Sequence, residues 1–510
     1  MHRTTVTGPS MEHRRMRGPE RPALLFLLLC AALSGVFATG WALPDVALAA
    51  EAAPSSTPSS ASSSLPSLPP SSPPAGGAPM GMAAAPRGAE GEAPATGGEY
   101  DMRRAVESAL RDNQGVVAAR AGRDAAEEGR KSARGAFGPA VSTTYGYDRL
   151  NEKPTSMSRE LDNDTYTWTV GVSQPLFTGL RLLSTYQKAA LETERQALTL
   201  DKSRLDLAVQ VQEAFLAYLK AGENVRSARD ALSRLLEQAK VTRAFYDVGL
   251  RPRLDVLQAE VDVSNAESLL ITAENDHATQ RARLNTLLTL PVGSNTAYVG
   301  ALVPVGFGMT LEQCLERAYR NRPDVRIASK AVEIAGKDVR IADSGLYPQV
   351  SANFNWATDG DHPEASGSTL SPTGFSQWST GLKAEWSVFE WGRTWYSGQQ
   401  ARQVETQVRA EEANLHHEVA YEVQSRLLTL TDSSKRIAVA TKGLAQAEEA
   451  YRVAVARYQA QVGTNTDVLD AQAKLTAAEA TLTGAKAEYL DALSKLWAAM
   501  GELKPALTDG

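Results

Sequence analysis

The chain has 510 residues, of which 53 are Lys or Arg and 59 are Asp or Glu, so its net charge is −6. This balance excludes a basic protein that coats nucleic acid. Two cysteines are too few for a disulfide scaffold. The sequence contains no phosphate-binding glycine loop, no metal-ligand spacing and no nucleophile elbow, so we expect neither an enzyme nor a bound metal or cofactor.

The first hundred residues have the composition of targeting and linker segments. Arginines precede an apolar stretch at 23–38, and Ala47-Leu48-Ala49 offers small residues where a signal peptidase cuts, which predicts a signal peptide over 1–49. A membrane anchor is the alternative, but the stretch is shorter than the roughly 20 residues that a spanning helix needs. Prolines are frequent among Ser, Ala and Gly over 50–99, which predicts a disordered linker.

The rest of the chain is an internal repeat. Pro139 and Pro348 lie 209 residues apart, and Asp255-Val256-Leu257 recurs 212 residues later as Asp467-Val468-Leu469. Such a nearly constant offset indicates two copies of one structural unit, with a short insertion in a loop between the matched segments. The repeat predicts a first unit, a second unit and a short tail, over 100–300, 301–502 and 503–510.

Each unit contains one segment with strand periodicity. Apolar residues alternate with polar ones over 140–176 and again over 349–389, which predicts one β-hairpin per unit. The predicted strands have the length that a tilted strand needs to cross a bilayer, and aromatic rings collect at membrane interfaces. An ordinary half-buried hairpin of a soluble protein is the alternative. The predicted interface aromatics are Tyr145, Tyr147, Trp168, Trp356, Trp378 and Trp386.

The remaining segments have helical periodicity. Heptads with alanine along one seam predict a coiled coil toward the end of each unit. Long arms over 182–246 and 394–458 span about 100 Å at 1.5 Å per residue, and two shorter arms laid end to end match each of them. Helical hairpins are therefore expected to turn near 247–254 and near 459–466. Four strands per chain leave two open sheet edges, so closure in a membrane requires more than one chain.

Short strings recur in the same order in both units. They are Gln174–Gly179 after the second strand, Tyr246–Leu250 with Asp255–Leu257 at the first helical turn, and Val462–Thr464 with Asp467–Ala471 at the second. Over about residues 100–502 the chain thereby resembles the outer-membrane efflux protein family, the TolC-like channel-tunnels. The resemblance implies a mainly α protein with a membrane β-barrel. Three chains would close a 12-stranded barrel, and a long coiled-coil helical barrel would continue it.

The resemblance also implies a function. Such a protein is the exit duct of a tripartite efflux or type I secretion system, located in the cell outer membrane with a tunnel extending into the periplasm. The implied partners are two further copies in a homotrimer, a periplasmic adaptor of the membrane fusion protein class, an inner-membrane pump of RND or ABC type, and outer-membrane lipid. A soluble periplasmic coiled-coil adaptor or tether is the alternative, although it does not explain two aromatic hairpins.

Site roles implied by the resemblance fall at the helical turns. Asp255 and Tyr458 occupy the positions of a gating pair joined by a hydrogen bond, and Asn465 stands where the family gate has an arginine. Asp467 and Asp470 match acids that line the entrance, where three copies would form a cation-favouring ring of carboxylates. Acids that favour the start of a helix through its dipole are the alternative for these two residues.

The tips of the helical hairpins match the surface that the family presents to its adaptor. The alternative is that these residues only build the turns, since every helical hairpin needs one. The spacing from Tyr458 to Val462-Gly463 is two residues longer than the corresponding spacing in the first unit. The predicted docking residues are Val248, Gly249, Leu250, Val462, Gly463 and Thr464.

Overall fold

The computed structural model describes residues 99–151, 155–156, 159–160, 163–360, 362–365 and 375–504. The predicted signal peptide, nearly all of the predicted linker and the last six residues lie outside the described residues. None of the helices in the described part of the chain is long and apolar enough to cross a membrane. The α-helices are α1 (Met102–Asp112), α2 (Gln114–Gly135), α3 (Arg181–Asp247), α4 (Arg253–Leu287), α5 (Leu311–Asn321), α6 (Pro323–Asp343), α7 (Arg393–Gln459) and α8 (Asn465–Ala499).

Four strands form one antiparallel sheet in the order β1-β4-β5-β6. Hairpin pairs β1–β4 and β5–β6 come from the first and second unit, and the pairing of β4 with β5 joins the two units into one sheet. Two further strands, each of two residues, pair with one another in the loop between β1 and β4. The strands are β1 (Ala140–Arg149), β2 (Thr155–Ser156), β3 (Arg159–Glu160), β4 (Asp164–Thr178), β5 (Gln349–Gly360) and β6 (Phe375–Glu385).

The two faces of the sheet differ sharply in chemistry. Tyr145 lies opposite Trp168, Val170 lies opposite Trp356, and Trp356 lies opposite Trp378, so the large apolar side chains share one face. The alternate positions carry the other face, which consists mainly of Ser, Thr, Asn and Gly. An apolar face and a polar face without a protein core on either side is the pattern of strands between lipid and an aqueous lumen.

Two long helices organise the helical part of the molecule. Helices α3 and α7 each have 67 residues, or about 100 Å at 1.5 Å per residue. Helices α2 and α4 both pack on α3, while α6 and α8 both pack on α7 and also on α3. The largest buried side chains include Phe215, Leu284, Leu490 and Met500, in the cluster where α3, α4 and α8 come together.

The shorter arm before each hairpin is two helices, where the periodicity predicts one continuous helix. Each break falls at equivalent positions, Asn113 and Arg322, whose backbones are extended at ψ 130° and ψ 124°. The Asn113 side chain caps α2 by accepting from Gly115 N–H, and Arg322 precedes Pro323, which disfavours a helical residue before it.

The same two residues join the helices that stack end to end. The Asn113 amide donates to the carbonyl of Leu287 at 3.0 Å, and the Arg322 guanidinium donates to the carbonyl of Ala499 at 3.3 Å. Leu287 and Ala499 are the last residues of α4 and α8. Each break therefore satisfies a carbonyl that would otherwise lack a partner at a helix end.

Candidate functional site

The two helical hairpins turn through connections of equal length. Residues 248–252 link α3 to α4, and residues 460–464 link α7 to α8. In the first turn Leu250 N–H donates to the Phe245 carbonyl and Gly249 N–H to the Tyr246 carbonyl, both at 2.8 Å. The second turn repeats this pattern 212 residues later, with both distances 3.0 Å. Both long helices thus end in a Schellman motif, which needs one left-handed residue.

The left-handed residue is Gly249 in the first turn, at φ 77°, and Gln461 in the second, at φ 63°. Gly463 is therefore not the counterpart of Gly249, although the strings around them look alike, and this shift accounts for the longer spacing after Tyr458. A Cβ atom added to Gly463 would lie 3.2 Å from the backbone nitrogen of Tyr458. Close packing, not a left-handed backbone, favours glycine at position 463.

Most of the predicted docking residues are exposed at the two turns. Val248 and Val462 are each 68% exposed, and Leu250 is 52% exposed. Gly249 and Thr464 are exposed as well, whereas Gly463 is buried. The two turns therefore present three apolar side chains to solvent: Val248, Leu250 and Val462.

A buried polar network lies directly behind the turns. The Tyr458 hydroxyl donates to Thr242 Oγ1 at 3.0 Å, and Thr242 donates to Asn465 Oδ1 at 3.3 Å. Gln238 Nε2 donates to the same oxygen at 2.9 Å. Tyr458 and Thr242 are fully buried, and Asn465 and Gln238 are 2% and 7% exposed. The network links α3 to α7 and α8, so it connects one helical hairpin to the other.

Arg251 lies in the first turn and contacts both this network and the second turn. Its guanidinium donates to the Gly463 carbonyl at 2.6 Å. The same group lies 5.0 Å from the centre of the Tyr458 ring, within the range of a cation–π interaction. Arg251 therefore joins the connection of the first hairpin to the connection of the second through both a charged hydrogen bond and a ring contact.

The residues of the expected gating pair have different partners from those expected. The Tyr458 hydroxyl donates its only hydrogen to Thr242, not to Asp255. Asn465, in place of the family arginine, donates from Nδ2 to the backbone carbonyl of Asp255 at 3.4 Å. Asp255 is half-buried in the first turn of α4. The structure links the three residues through a chain of hydrogen bonds that runs from Tyr458 through Thr242 and Asn465 to the backbone of Asp255.

The two entrance acids lie in the first two turns of α8, and both are exposed. Asp467 forms a capping box with Thr464: its carboxylate accepts from Thr464 N–H at 3.0 Å, and its own N–H donates to Thr464 Oγ1 at 3.1 Å. These hydrogen bonds from the backbone and side chain of Thr464 lower the pKa of Asp467. Asp470 lies beside Lys474 and Arg457 in a shallow surface groove.

Sequence reasoning missed Gln238, Thr242 and Arg251. Gln238 and Thr242 are four residues apart on α3, and Ala231 precedes Gln238 by one heptad on the same buried stripe. The sequence did contain a signal, since two polar residues lie on an otherwise apolar stripe of the helix. Buried polar groups need hydrogen-bond partners, so such residues indicate a polar contact with another element. Within the described residues, no group of three or more His, Cys, Asp and Glu side chains is arranged to hold a metal ion.

The predicted interface aromatics lie on or beside the sheet. Five of them share its apolar face, and Trp386 follows the last residue of β6 and donates from Nε1 to the Leu346 carbonyl at 3.2 Å. All except Trp356 are exposed, from 43% for Trp168 to 62% for Trp378. Exposed aromatic side chains on one face of a sheet are suited to contact lipid.

Helical hairpins that continue from an antiparallel sheet with one apolar face define a class of protein, the outer-membrane channel-tunnels. The sequence model described as "Outer membrane efflux protein" matches residues 105–289 and 314–502. The chain therefore belongs to the outer membrane efflux protein family. It is an outer-membrane channel that serves as an exit duct, and its family is one of channels, not of enzymes.

Individual relatives agree with this assignment. The chain is 24% identical to the outer membrane efflux protein BepC of Brucella suis over 409 residues, covering 78% of this chain and 85% of BepC. It is 22% identical to the outer membrane protein TolC of Vibrio cholerae over 402 residues, covering 76% and 87%. Among solved structures, the Campylobacter jejuni CmeC outer membrane channel superposes with a TM-score of 0.69 at 14% identity, covering 78% of this chain and 85% of CmeC.

Proposed function

We propose that three copies of this chain form the outer-membrane duct of a tripartite efflux or type I secretion system. The sheet supports this, since it has one apolar face, one polar face and two open edges. Open edges are not tolerated in hydrocarbon, and a ring of copies removes them. With four long strands from each chain, a homotrimer gives a 12-stranded barrel with a polar lumen, in contact with outer-membrane lipid through its aromatic side chains.

The helical hairpins form the periplasmic tunnel of this duct, and their turns are the docking surface for a periplasmic adaptor. The exposed side chains of Val248, Leu250 and Val462 support this role, because monomeric soluble surfaces seldom present apolar residues together without a partner. The adaptor couples the duct to an inner-membrane pump of RND or ABC type. The pump supplies the energy, and the duct conducts passively.

The buried network behind the turns is the closed gate. The single observation that carries this proposal is the fully buried hydrogen bond between Tyr458 and Thr242, which belong to different hairpins. If the hairpins separate to widen the entrance, this bond and the contacts of Asn465 and Arg251 break. Each neutral hydrogen bond contributes ~1 kcal/mol, which corresponds to roughly fivefold in the closed-to-open equilibrium.

Single-channel conductance in a planar bilayer tests the gate. We expect wild-type protein to show small, cation-favouring currents, and Tyr458→Phe to open at least several-fold more often because the buried hydroxyl is lost. Arg251→Ala should act in the same direction, because it removes the hydrogen bond to the Gly463 carbonyl. Tyr246→Phe is the matched control, since Tyr246 is the counterpart of Tyr458 in the first unit but is 41% exposed.

Two outcomes would count against the proposal in different ways. Unchanged opening in both Tyr458→Phe and Arg251→Ala would remove the network from the gate while leaving the duct intact. No conductance from correctly folded multimers, even with both substitutions combined, would reject the duct itself. The alternative of a soluble coiled-coil adaptor has no support from the family match, and fractionation of the protein with the outer membrane is expected to exclude it.

A further inference from the structure

Each of the two edge strands of the sheet, β1 and β6, has one neighbouring strand, whereas its counterpart in the other unit has two. β1 and β5 are equivalent strands, as are β4 and β6, but only β4 and β5 have neighbours on both sides. Val141 at the start of β1 is 70% exposed, whereas its counterpart Val350 in β5 is half-buried. Phe389, just beyond β6, is 71% exposed, compared with 40% for its counterpart Phe177 in β4.

The strand registers agree with the offsets of the sequence repeat. Tyr145 lies opposite Trp168 in the first hairpin. Their counterparts, 209 and 212 residues later, are Phe354 and Thr380, which lie opposite each other in the second hairpin. The two hairpins are therefore equivalent residue by residue, and a pairing known for one unit can be transferred to the other.

β6 is shorter than its counterpart at the end that leads into the long helix. β4 continues to Thr178 and pairs with the start of β5, with a register shift between Pro175 and Phe177. β6 ends at Glu385, although the counterpart of Thr178 is Glu390. The residues between Glu385 and Glu390 lack the neighbouring strand that their counterparts have in β4.

We propose that β6 of one copy pairs with β1 of the next copy in the register that β4 makes with β5 inside the chain. This inference rests on the proposed ring of copies and adds its residue-level geometry. Ser173 lies opposite Asn353, so Glu385 faces Thr144 of the next copy. The same transfer gives the other pairs across the seam: Leu382 with Tyr147, Ala384 with Tyr145, Trp386 with Thr143, and Phe389 with Val141.

This register matches the chemistry of both sheet faces. Leu382 and Ala384 meet tyrosines on the apolar face, while Lys383 and Glu385 meet Gly146 and Thr144 on the polar face. A slip of one residue would turn the two charged side chains toward lipid. Gly146 also leaves room for the long Lys383 side chain, because a Cβ atom there would meet nothing within 4 Å. Slips of two residues keep the faces matched, so experiment has to exclude them.

Disulfide trapping in the full-length protein distinguishes these registers. In a Cys30→Ala, Cys314→Ala background, Thr144→Cys is combined with Glu385→Cys, and the matched controls combine Glu385→Cys with Ser142→Cys or with Gly146→Cys. Directly opposite Cβ atoms lie about 4.5–5.5 Å apart and diagonal ones somewhat over 6 Å, while a disulfide needs about 3.5–4.5 Å. Within one chain the two edges of the sheet are three strand spacings, or about 14 Å, apart, and the β6 residue in line with Thr144 is Gln377, not Glu385, so only pairs between copies can form.

We expect oxidation to convert the Thr144, Glu385 pair into covalent dimers and trimers at least fivefold faster than either control. Glu385→Cys removes only an exposed ion pair with Lys383, which is expected to leave folding unchanged. Faster trapping of a control pair would overturn the register but leave the ring intact. Failure of all three pairs in a heat-sensitive multimer would also overturn the register, whereas failure of all three with no multimer at all would reject the proposed ring.

Discussion

The residues of the proposed gate form a network without formal charge, apart from Arg251 at its edge. Gln238, Thr242, Tyr458 and Asn465 are neutral, and all are buried. Salt screens exposed charges and pH acts on titrating groups, so neither has a strong effect on hydrogen bonds of this kind. In the proposed gate, Asn465 therefore replaces a charged arginine with a neutral amide that connects three helices.

The predicted entrance acids, Asp467 and Asp470, lead to a prediction about ion selectivity. Asp467→Asn combined with Asp470→Asn should reduce the preference for cations, because three copies lose six carboxylates from the entrance. Asparagine at position 467 can still accept a hydrogen bond from Thr464 N–H, so the helix cap is kept. The reversal potential in a potassium chloride gradient measures the change, and Glu267→Gln with Asp276→Asn, on exposed positions of α4, is the charge-matched control.

The pH dependence of this selectivity follows from the cap. Hydrogen bonds from Thr464 lower the pKa of Asp467, so its carboxylate stays charged throughout the neutral range. The stabilisation from the cap is complete above the unfolded pKa of about 4 and is lost as pH falls through the lower folded value. The contribution of Asp467 to cation preference should therefore persist down to about pH 4. A reversal potential that is the same in wild type and in the double variant would show that these two acids do not set the selectivity.

Sequence reasoning identified only part of the network. Tyr458, Asn465 and Asp255 came from the family resemblance, which aligns them with a known gate. The partner Thr242 is 216 residues from Tyr458 in sequence, and no periodicity reports which polar residues of two distant helices will face each other. The Tyr458 hydroxyl donates to Thr242 on α3, and which acceptor it meets depends on how the helices pack.

At the scale of elements, the end of α7 contains a strained residue that the end of α3 avoids. Gln461 adopts φ 63° in the second turn, where the first turn has Gly249 at φ 77°. A left-handed backbone costs a residue with a Cβ about 1–2 kcal/mol, part of which glycine loses again as conformational entropy. Gln461→Gly should therefore stabilise the last turn of α7 by roughly 0.5–1 kcal/mol.

Amide hydrogen exchange in the last turn of α7 tests this expectation. Exchange should slow by about two- to fivefold in Gln461→Gly, because local opening becomes less favourable. The reverse substitution Gly249→Gln, at the equivalent position of α3, should speed exchange by a similar factor, since a Cβ atom there meets nothing within 4 Å and only backbone strain is added. Equal exchange in all three proteins would mean that the turns carry no such strain.

The helices and strands themselves follow closely from periodicity, and the exceptions have local causes. The long arms predicted over 182–246 and 394–458 differ from α3 and α7 by only one residue at each end. The breaks at Asn113 and Arg322 escaped prediction because helical periodicity alone does not show where one helix ends and the next begins. Pro323 was a visible stop signal for the second break, whereas Asn113 acts through a cap and a contact with Leu287 that depends on the stacked helix.

At the scale of the whole molecule, the sheet accounts for the location in the outer membrane, and the long helices account for the tunnel that continues from it. The mainly helical fold with an antiparallel membrane sheet was predictable because period-two and period-3.6 patterns occupy separate segments of each repeat. The pairing of β4 with β5 was not, because it joins strands from different repeats and no turn specifies its register. That pairing turns two hairpins into one sheet whose faces are uniform across all four strands.

This uniformity predicts opposite effects for neighbouring residues. Val170 and Thr169 are adjacent in the central strand β4, but Val170 shares the face of Trp356 and Tyr147, whereas Thr169 lies on the polar face. Val170→Arg should prevent assembly in the outer membrane, because an arginine facing lipid near the bilayer midplane costs about 2–4 kcal/mol. Thr169→Arg should assemble normally and change the conductance instead. Heat-sensitive multimers in outer-membrane fractions measure assembly, and equal loss in both variants would contradict the assignment of one face to lipid and the other to the lumen.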